Sequence, residues 1–458
     1  MGQDVLPFAG GDSSGAGPAE TNVWPAETHG LYKMCDSELA RLRESASGRD
    51  APMDEQARAV GQRVRYWRQR RDIDRQRFAD MVGRSKSWVD KVEKGERSLL
   101  RLPMLERVAE VLSVAPEVLT DGPKSRQAAG CVDAVEVQAI RSALGRYPSL
   151  SRSPGVKPPA MLKVGRQLDY LGQAWISSNF TEVAQHLPTV IHDAQVLAAT
   201  VTGDAEVRGA RRALIMSYRL ASSVLLKFEA NQVAWLAADR AMQIAMPSDD
   251  NVALARATRS VARAMTSSGQ ESDAIVALTG MADRMRPGMA ASDQDQLPLF
   301  GMLFLAASIA AAKIDDHSTA LMMHEEAEAV AARLGPEHRS HYTVFGSANV
   351  AVHRLAALVR LREFGRALEH VATIDPAEIA GLPPERRANY LLDLTSAYTG
   401  AGNYQNATLA LTEAERLAPQ EVRCRPLAHG LLRALLSNTS GALAGSVRTM
   451  ALRVGVEA

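Results

Sequence analysis

From Met161 to its C-terminus the sequence keeps one pattern, in which apolar residues recur every three or four positions and Gly or Pro interrupts each run. This spacing places apolar side chains on one face of an α-helix, and Gly and Pro mark helix ends. Aromatic residues make up only 5% of the 458 residues. Ala, Leu and Arg, which favour helix over strand, are abundant instead. The sequence therefore predicts an all-α fold.

One internal repeat stands out between Ala388 and Pro419. Small and apolar residues recur there at regular spacing, namely Leu394, Tyr398, Gly402, Tyr404, Ala407, Leu411, Ala414 and Pro419. In this spacing the segment resembles a tetratricopeptide repeat. We expect Gly402 to lie in the turn of a helical hairpin and the small Ala407 to lie where its two helices cross.

Weaker copies of this unit precede it along the chain. Successive copies are 51, 40, 46, 47 and 40 residues apart, which is longer than a strict repeat of about 34 residues requires. One hairpin cannot bury its apolar face alone, so we expect about six to stack into a curved solenoid over residues 161–458. An irregular helical bundle is the alternative. The positions equivalent to Ala407 are Val183, Ala234, Ala274, Ala320 and Ala367.

Composition divides the rest of the chain into three segments. Residues 1–52 combine Gly-rich and Pro-containing stretches with no apolar period, so we expect them to be mostly disordered. Residues 53–121 alternate short apolar periods with turn residues and predict a compact domain of five helices. Residues 122–160 are rich in Gly and Pro and predict a linker with one helix, at Val132–Leu144.

Positive charge is concentrated in the predicted N-terminal domain. The whole chain has a formal net charge of +1, yet residues 54–101 hold fourteen Lys and Arg against eight Asp and Glu. Residues 1–50 hold four basic and eight acidic side chains. A local basic excess of this kind is typical of a domain that meets nucleic acid.

The segment Ile73–Leu99 carries several spaced signals for two short helices joined by a tight turn. Asp74 and Ser85 are good N-caps, and Gly83 stands where a left-handed residue ends a helix most easily. This segment, with Ala79, Val89, Val92 and the Glu93-Lys94-Gly95 exit, resembles the helix-turn-helix of the phage-repressor-like XRE family. The resemblance covers about 65 residues, and it implies that the recognition helix lies at about Ser85–Lys94.

In that family the N-terminal part of the recognition helix faces base edges in the major groove. The resemblance therefore implies that Lys86, Ser87 and Lys91 read bases, because these side chains donate to base acceptors. Trp88 flanks them and has two open interpretations, contact with a thymine methyl or the backbone, and packing on a neighbouring helix. Contacts to DNA phosphates are expected from cations near helix ends, namely Arg75, Arg84, Lys94 and Arg97.

Proteins that join an XRE-type N-terminus to tetratricopeptide-like repeats occur in actinomycetes, and this chain looks like that group. In one branch the concave groove binds a short peptide, so the resemblance implies a peptide or small-molecule effector. Aligning the repeats places polar side chains on this face, although pairing with neighbouring helices would equally explain them. The candidate ligand-binding residues are Arg256, Asn349, His353, Asn389 and Asp393.

No motif for catalysis or for a cofactor is present. His324 begins HEEAE rather than HExxH, and GxSxG, phosphate-loop and kinase signatures are absent. Three widely separated cysteines without a CxxC pair predict neither a disulfide framework nor a cysteine zinc site. We therefore expect no enzyme activity, no catalytic residue, no metal and no cofactor. With no run of eighteen apolar residues, a cytoplasmic, nucleoid-associated protein without a membrane partner is expected.

Taken together, these features predict a transcriptional regulator that binds a double-stranded DNA operator. Because one helix-turn-helix recognises a half-site weakly, we expect a homodimer whose interface the helical repeats supply. The leading hypothesis is a regulator that responds to a ligand. Two alternatives stay open, a repeat region that recruits a partner protein to DNA, and a constitutive dimeric repressor that senses nothing.

Overall fold

The computed structural model describes residues 53–71, 73–99, 102–112, 114, 116–120, 132, 134–148, 158–291, 296–334 and 344–456. Across these ranges every regular element is a helix, which confirms the predicted all-α fold. The predicted disordered segment, residues 1–52, and much of the predicted linker lie outside the described residues.

Five helices form the N-terminal domain, as the sequence predicts. The apolar face of the first helix buries Val60, Val64 and Trp67 in a common core with the helices that follow. Proline stands in the first turn of the fourth helix and begins the fifth, where its missing N–H costs no hydrogen bond. The helices are α1 (Met53–Arg70), α2 (Arg75–Val82), α3 (Lys86–Glu93), α4 (Leu102–Leu112) and α5 (Pro116–Thr120).

The helix predicted within the linker is present as α6 (Ala134–Leu144). Its apolar side chains Ile140 and Leu144 are fully buried in the core of the helices that follow. The side-chain amide of Gln195 donates to the backbone carbonyl of Ala143 at 3.1 Å. This helix therefore packs as part of the repeat region rather than as a separate linker helix.

The rest of the described chain is a series of helical hairpins. Adjacent helices pack in chain order, and each hairpin also contacts the next one. Hairpins 1 to 3 are α7 (Met161–Ile176) with α8 (Phe180–Thr200), α9 (Asp204–Lys227) with α10 (Asn231–Ala245), and α11 (Asn251–Ser267) with α12 (Glu271–Met285). Hairpins 4 to 6 are α13 (Leu297–Lys313) with α14 (His317–Leu334), α15 (Ser347–Arg360) with α16 (Phe364–Ala372), and α18 (Pro384–Gly400) with α19 (Tyr404–Leu417).

Short elements connect or end these hairpins. A 3₁₀ segment, Arg286–Ala291, follows α12, and α17 (Pro376–Ala380) lies between hairpins 5 and 6. After α20 (Pro419–Arg423), the chain ends in α21 (Pro426–Asn438) and α22 (Gly441–Val454). These last two helices follow the sixth hairpin. Cys424 is disulfide-bonded, a bond that the spacing of the cysteines did not predict.

The six hairpins share one register, which their turns reveal. Each turn has a residue in the left-handed backbone region five positions before the predicted repeat anchor. All six anchors are buried, with at most 1% of their surface exposed. This equivalence is consistent with tetratricopeptide-like repeats of unequal length. The left-handed residues are Ser178, Glu229, Gly269, Asp315, Arg362 and Gly402.

The array curves until its two ends meet. The side chain of Gln420 accepts from the backbone N–H of Thr181 at 3.0 Å and donates to the Asn179 side chain at 3.2 Å. Lys227, at the end of α9, forms buried ion pairs with Glu385 and Glu421. The first two hairpins thus bond directly to the sixth and to α20. In the described ranges, no helix has both the length and the apolarity needed to cross a bilayer.

Candidate nucleic-acid interface and central cavity

Helices α2 and α3 are joined by a turn whose conformation the sequence determines locally. The Asp74 carboxylate accepts from the backbone N–H groups of Gln76 and Arg77, at 2.8 and 3.0 Å, and begins α2. These bonds hold the pKa of Asp74 below its ordinary value. Gly83 ends α2 with φ of 72°, in the left-handed region, and Ser85 Oγ accepts from the N–H of Trp88 to begin α3. All three predicted caps are confirmed.

Close packing between α1 and α3 depends on a glycine. A Cβ atom on Gly61 would lie 2.0 Å from the backbone carbonyl oxygen of Val92, far inside van der Waals contact. Gly95 has φ of 74°, and a Cβ atom there would lie 2.5 Å from Cα of Arg58. The first helix therefore supports the back of α3 and leaves its other face free.

The outer face of α3 is polar and accessible. Lys86, Ser87 and Lys91 are exposed, whereas Val89 and Val92 are buried in the domain core. Trp88 also packs into that core with only 9% of its surface exposed. Of the two interpretations of Trp88, the structure therefore favours packing over base contact.

Cations border the exposed face of α3 on the side of the turn. Arg84, in the turn, and Arg97, after α3, line the same shallow groove as Ser87 and Lys91. The Arg84 guanidinium lies 5.9 Å from the centre of the Trp88 ring. Lys94 is the C-terminal cap of α3 and is exposed. The structure thus brings the predicted base-reading and phosphate-binding side chains to one surface, with Arg75 as the exception.

Arg75 is partly exposed and pairs with two carboxylates of α3. Its Nε lies 3.0 Å from Oε2 of Glu93 and 3.2 Å from Oδ1 of Asp90. The hydrogen bond and charge of Glu93 raise the pKa of Arg75. Glu93 is almost fully buried and also binds Arg68 of α1, whose Nε and Nη2 lie 2.5 and 3.2 Å from its two oxygens. One carboxylate therefore connects α1, α2 and α3.

Sequence reasoning missed this buried ion pair. Several of the arginines that make up the local basic excess have structural roles, in α1 and just after it. Arg68 Nη1 donates to the carbonyl of Ile73 at 2.7 Å, Arg63 donates to the carbonyl of Leu119, and Arg71 donates to that of Leu112. A signal was available, because Glu93 follows Val92 on the inward face of α3 and an acidic residue there requires a partner.

The first helices of all six hairpins surround a cavity of about 440 Å³, here called the central cavity. Three predicted ligand-binding residues line it, namely His353, Asn389 and Asp393. Asn349 is buried beside Met302, and Arg256 is not among the lining residues. The structure therefore brings three of the five candidates together. The sequence did not single out the cations that line the cavity, which are Arg219, Lys227, Arg259, Arg263, Lys313, Arg360, Arg386 and Arg425.

Several lining residues are held by neighbouring side chains. Asn389 donates to Oε1 of Glu385 at 3.0 Å and accepts from Arg425 Nη1 at 2.9 Å. The Arg360 guanidinium lies 3.7 Å from Oδ1 of Asp393, whose pKa is raised by burial. Burial and the nearby charge of Arg386 lower the pKa of His353 to about 3. The polar residues of α18 thus form a network that faces the cavity.

Comparison with known proteins bears on the N-terminal domain alone. Residues 59–121, which include α2 and α3, match the family model described as a helix-turn-helix domain. Neither the curated proteins nor the solved structures contain a match to this chain. Among the described residues, no cluster of three or more His, Cys, Asp or Glu side chains could hold a metal ion. The fold and the family match together support a DNA-binding regulator.

Proposed function

We propose that this protein is a sequence-specific transcriptional regulator that inserts α3 into the major groove of an operator. Lys86 and Ser87 would meet base edges first, with Lys91 one helical turn later. The observation that carries the proposal is the exposure of these three side chains on the outer face of a helix whose inner face is fully packed.

Arg84, Lys94 and Arg97 would hold the phosphates on either side of the groove, because each is exposed beside α3. Phosphate contacts set the register of the protein on the duplex without reading sequence. For Arg75 we propose a positioning role instead, since its guanidinium bonds to Glu93 and Asp90 and so orients α3 relative to α2.

The helical repeats would control dimerisation and respond to a peptide or small-molecule ligand. The central cavity supports a ligand response, because its volume of about 440 Å³ lies within the range of small-molecule sites. The contacts of Lys227 and Gln420 join distant hairpins, so a ligand between them would alter the curvature of the array. A change in curvature would move the two DNA-binding domains of a dimer.

Selection from a random double-stranded DNA library tests the proposal. The full chain, bound at about 150 mM salt where non-specific contacts are weakened, should enrich one sequence. Two half-sites related by symmetry would indicate a dimer. Recovery of unrelated sequences over repeated rounds would contradict sequence-specific recognition. A single half-site with a monomeric protein in solution would contradict control of dimerisation by the repeats.

A further inference from the structure

We propose that the central cavity binds a small polyanion, a molecule that carries at least two phosphate or carboxylate groups. This inference rests on the proposed ligand response of the repeats and specifies its chemistry. It begins from the charge of the cavity wall. Among the described residues, eight Lys and Arg side chains line the cavity, against two carboxylates, Glu385 and Asp393.

Ion pairs do not cancel this excess. Beyond the lining residues, Glu421 pairs with Lys227 and Arg425, and Glu271 pairs with Lys313. Besides Arg219, seven lining cations face these two carboxylates together with Glu385 and Asp393, four in all. The cations of such a cluster repel one another, and weak screening within the protein strengthens this repulsion.

The excess of positive charge is greatest at two arginines of α11. Arg259 and Arg263 are one helical turn apart, and within the described part of the chain no carboxylate lies within ion-pairing distance of either guanidinium. Arg263 donates to the hydroxyl of Ser223 at 3.2 Å, and Arg259 Nε is buried without a hydrogen-bond partner. Burial lowers the pKa of Arg263 to about 10 and that of Arg259 well below its ordinary value.

Their neighbours add to this repulsion. Arg386, on α18, lowers the pKa of both Arg259 and Arg263 through its charge, and Arg219 does the same for Arg259. Guanidinium groups from hairpins 2, 3 and 6 therefore face one water-accessible space. The planar guanidinium group of arginine binds phosphate and carboxylate groups through paired hydrogen bonds. An anion placed there would lie within reach of guanidinium groups from three hairpins.

Such a ligand would strengthen the closure of the array. Arg386 is next to Glu385, which pairs with Lys227 of α9, so the anion site and the contact between hairpins 2 and 6 share residues. Binding to the folded state raises its stability according to ligand concentration. The polyanion would therefore favour the closed array and, through it, one arrangement of the DNA-binding domains.

The test uses the full chain without DNA and two probes, sodium pyrophosphate and trisodium citrate. We expect at least one probe to raise the melting temperature saturably and to give a binding isotherm in calorimetry. Sodium chloride at equal ionic strength should do neither. A response to pyrophosphate alone indicates a phosphorylated ligand, and a response to citrate alone indicates a polycarboxylate. No response to either probe would overturn the proposal.

The Arg259→Gln/Arg263→Gln variant should bind the responding probe at least tenfold more weakly, since it lacks two charged donors. Its ligand-free form should melt no lower than the wild type, because the repulsion is relieved. The control Arg433→Gln/Arg448→Gln removes the same charge from exposed positions of α21 and α22 and should bind normally.

If the glutamine variant lacks helical circular dichroism, Arg259→Lys/Arg263→Lys keeps the charge and should fold but bind more weakly. Unchanged binding in a folded variant of either kind would overturn the assignment of these arginines. Because the polyanion assay contains no DNA, a negative result there would not contradict sequence-specific DNA binding. A negative DNA selection would likewise not contradict polyanion binding measured by calorimetry.

Discussion

Arg68 and Glu93 form a buried ion pair, with Nε of Arg68 2.5 Å from Oε1 of Glu93 and both side chains at least 93% buried. The pair joins α1 to the end of α3. Breaking a buried pair leaves an uncompensated charge, which costs about 3–5 kcal/mol. The orientation of the exposed face of α3 therefore depends on Arg68, which lies on the opposite side of the helix.

Replacing Glu93 with Ala should destabilise the N-terminal domain by about 3 kcal/mol or more, because Arg68 loses its carboxylate. Hydrogen exchange of peptides covering residues 75–99 measures this local loss in the full chain. Glu110→Ala is the control, since Glu110 pairs with Arg107 at the surface and should contribute less than about 1 kcal/mol. Equal protection in the two variants would show that the buried pair is not structurally important.

Gly61→Ala tests the contact between α1 and α3. The added methyl group would collide with the carbonyl of Val92, so the helices must separate, and overpacking of this kind costs about 1–3 kcal/mol or more. We expect faster exchange in α3 and weaker DNA binding. Gly165→Ala, in α7, has no atom within 4 Å of the added Cβ and should be neutral or stabilising by about 0.5–1 kcal/mol. A Gly61→Ala variant as stable as this control would refute the packing argument.

Removal of Lys227 tests the closure of the helical array. Lys227→Ala would remove the cation that joins hairpin 2 to Glu385 and Glu421, which would keep their pairs with Arg386 and Arg425. We expect a loss of about 1.5–3 kcal/mol in the stability of the repeat region, the typical contribution of hydrogen bonds to a charged group, seen as a lower melting temperature. Lys163→Ala breaks an exposed pair with Asp193 and should cost less than about 1 kcal/mol. Similar melting of both variants would mean that the ion pairs do not stabilise closure.

His353 should make stability depend on pH. Burial, and the nearby charges of Arg386 and Arg259, lower its pKa from 6.5 to about 3. In the unfolded chain His353 therefore binds a proton below about pH 6.5, whereas in the folded chain it does so only near pH 3. This contribution to stability is complete above pH 6.5 and declines as the pH falls toward 3.

The His353→Gln variant should consequently show a shallower fall in melting temperature between pH 6.5 and pH 5 than the wild type. His186→Gln is the matched control, because His186 lies on the surface of α8 with a side chain 58% exposed. Parallel pH profiles for wild type and His353→Gln would contradict the effect of burial on the pKa of His353.

Local rules predicted those parts of the fold that depend on local interactions. The caps Asp74 and Ser85 and the left-handed Gly83 follow from bonds within a few residues. The repeat anchors follow from periodicity, because each must be small and buried where two helices cross. The five helices of the N-terminal domain were predicted on the same grounds.

Contacts between residues distant in sequence were not predicted. Arg68 reaches Glu93 only after three helices pack, and Lys227 reaches Glu385 only after the array curves through several hairpins. The cationic cavity depends on that same curvature. Arg259 and Arg263 are one turn apart on α11, which is a signal of a shared face. Periodicity alone does not distinguish a face turned to outer solvent from one that lines a cavity.

The most direct test of the central claim measures affinity for the DNA sequence enriched by the full chain. Fluorescence anisotropy at about 150 mM salt would compare the wild type with Lys86→Ala/Lys91→Ala and with the charge-matched control Arg433→Ala/Arg448→Ala. We predict that the first variant binds the enriched sequence no better than scrambled DNA, while the control keeps wild-type discrimination. Discrimination retained by Lys86→Ala/Lys91→Ala would contradict recognition through α3.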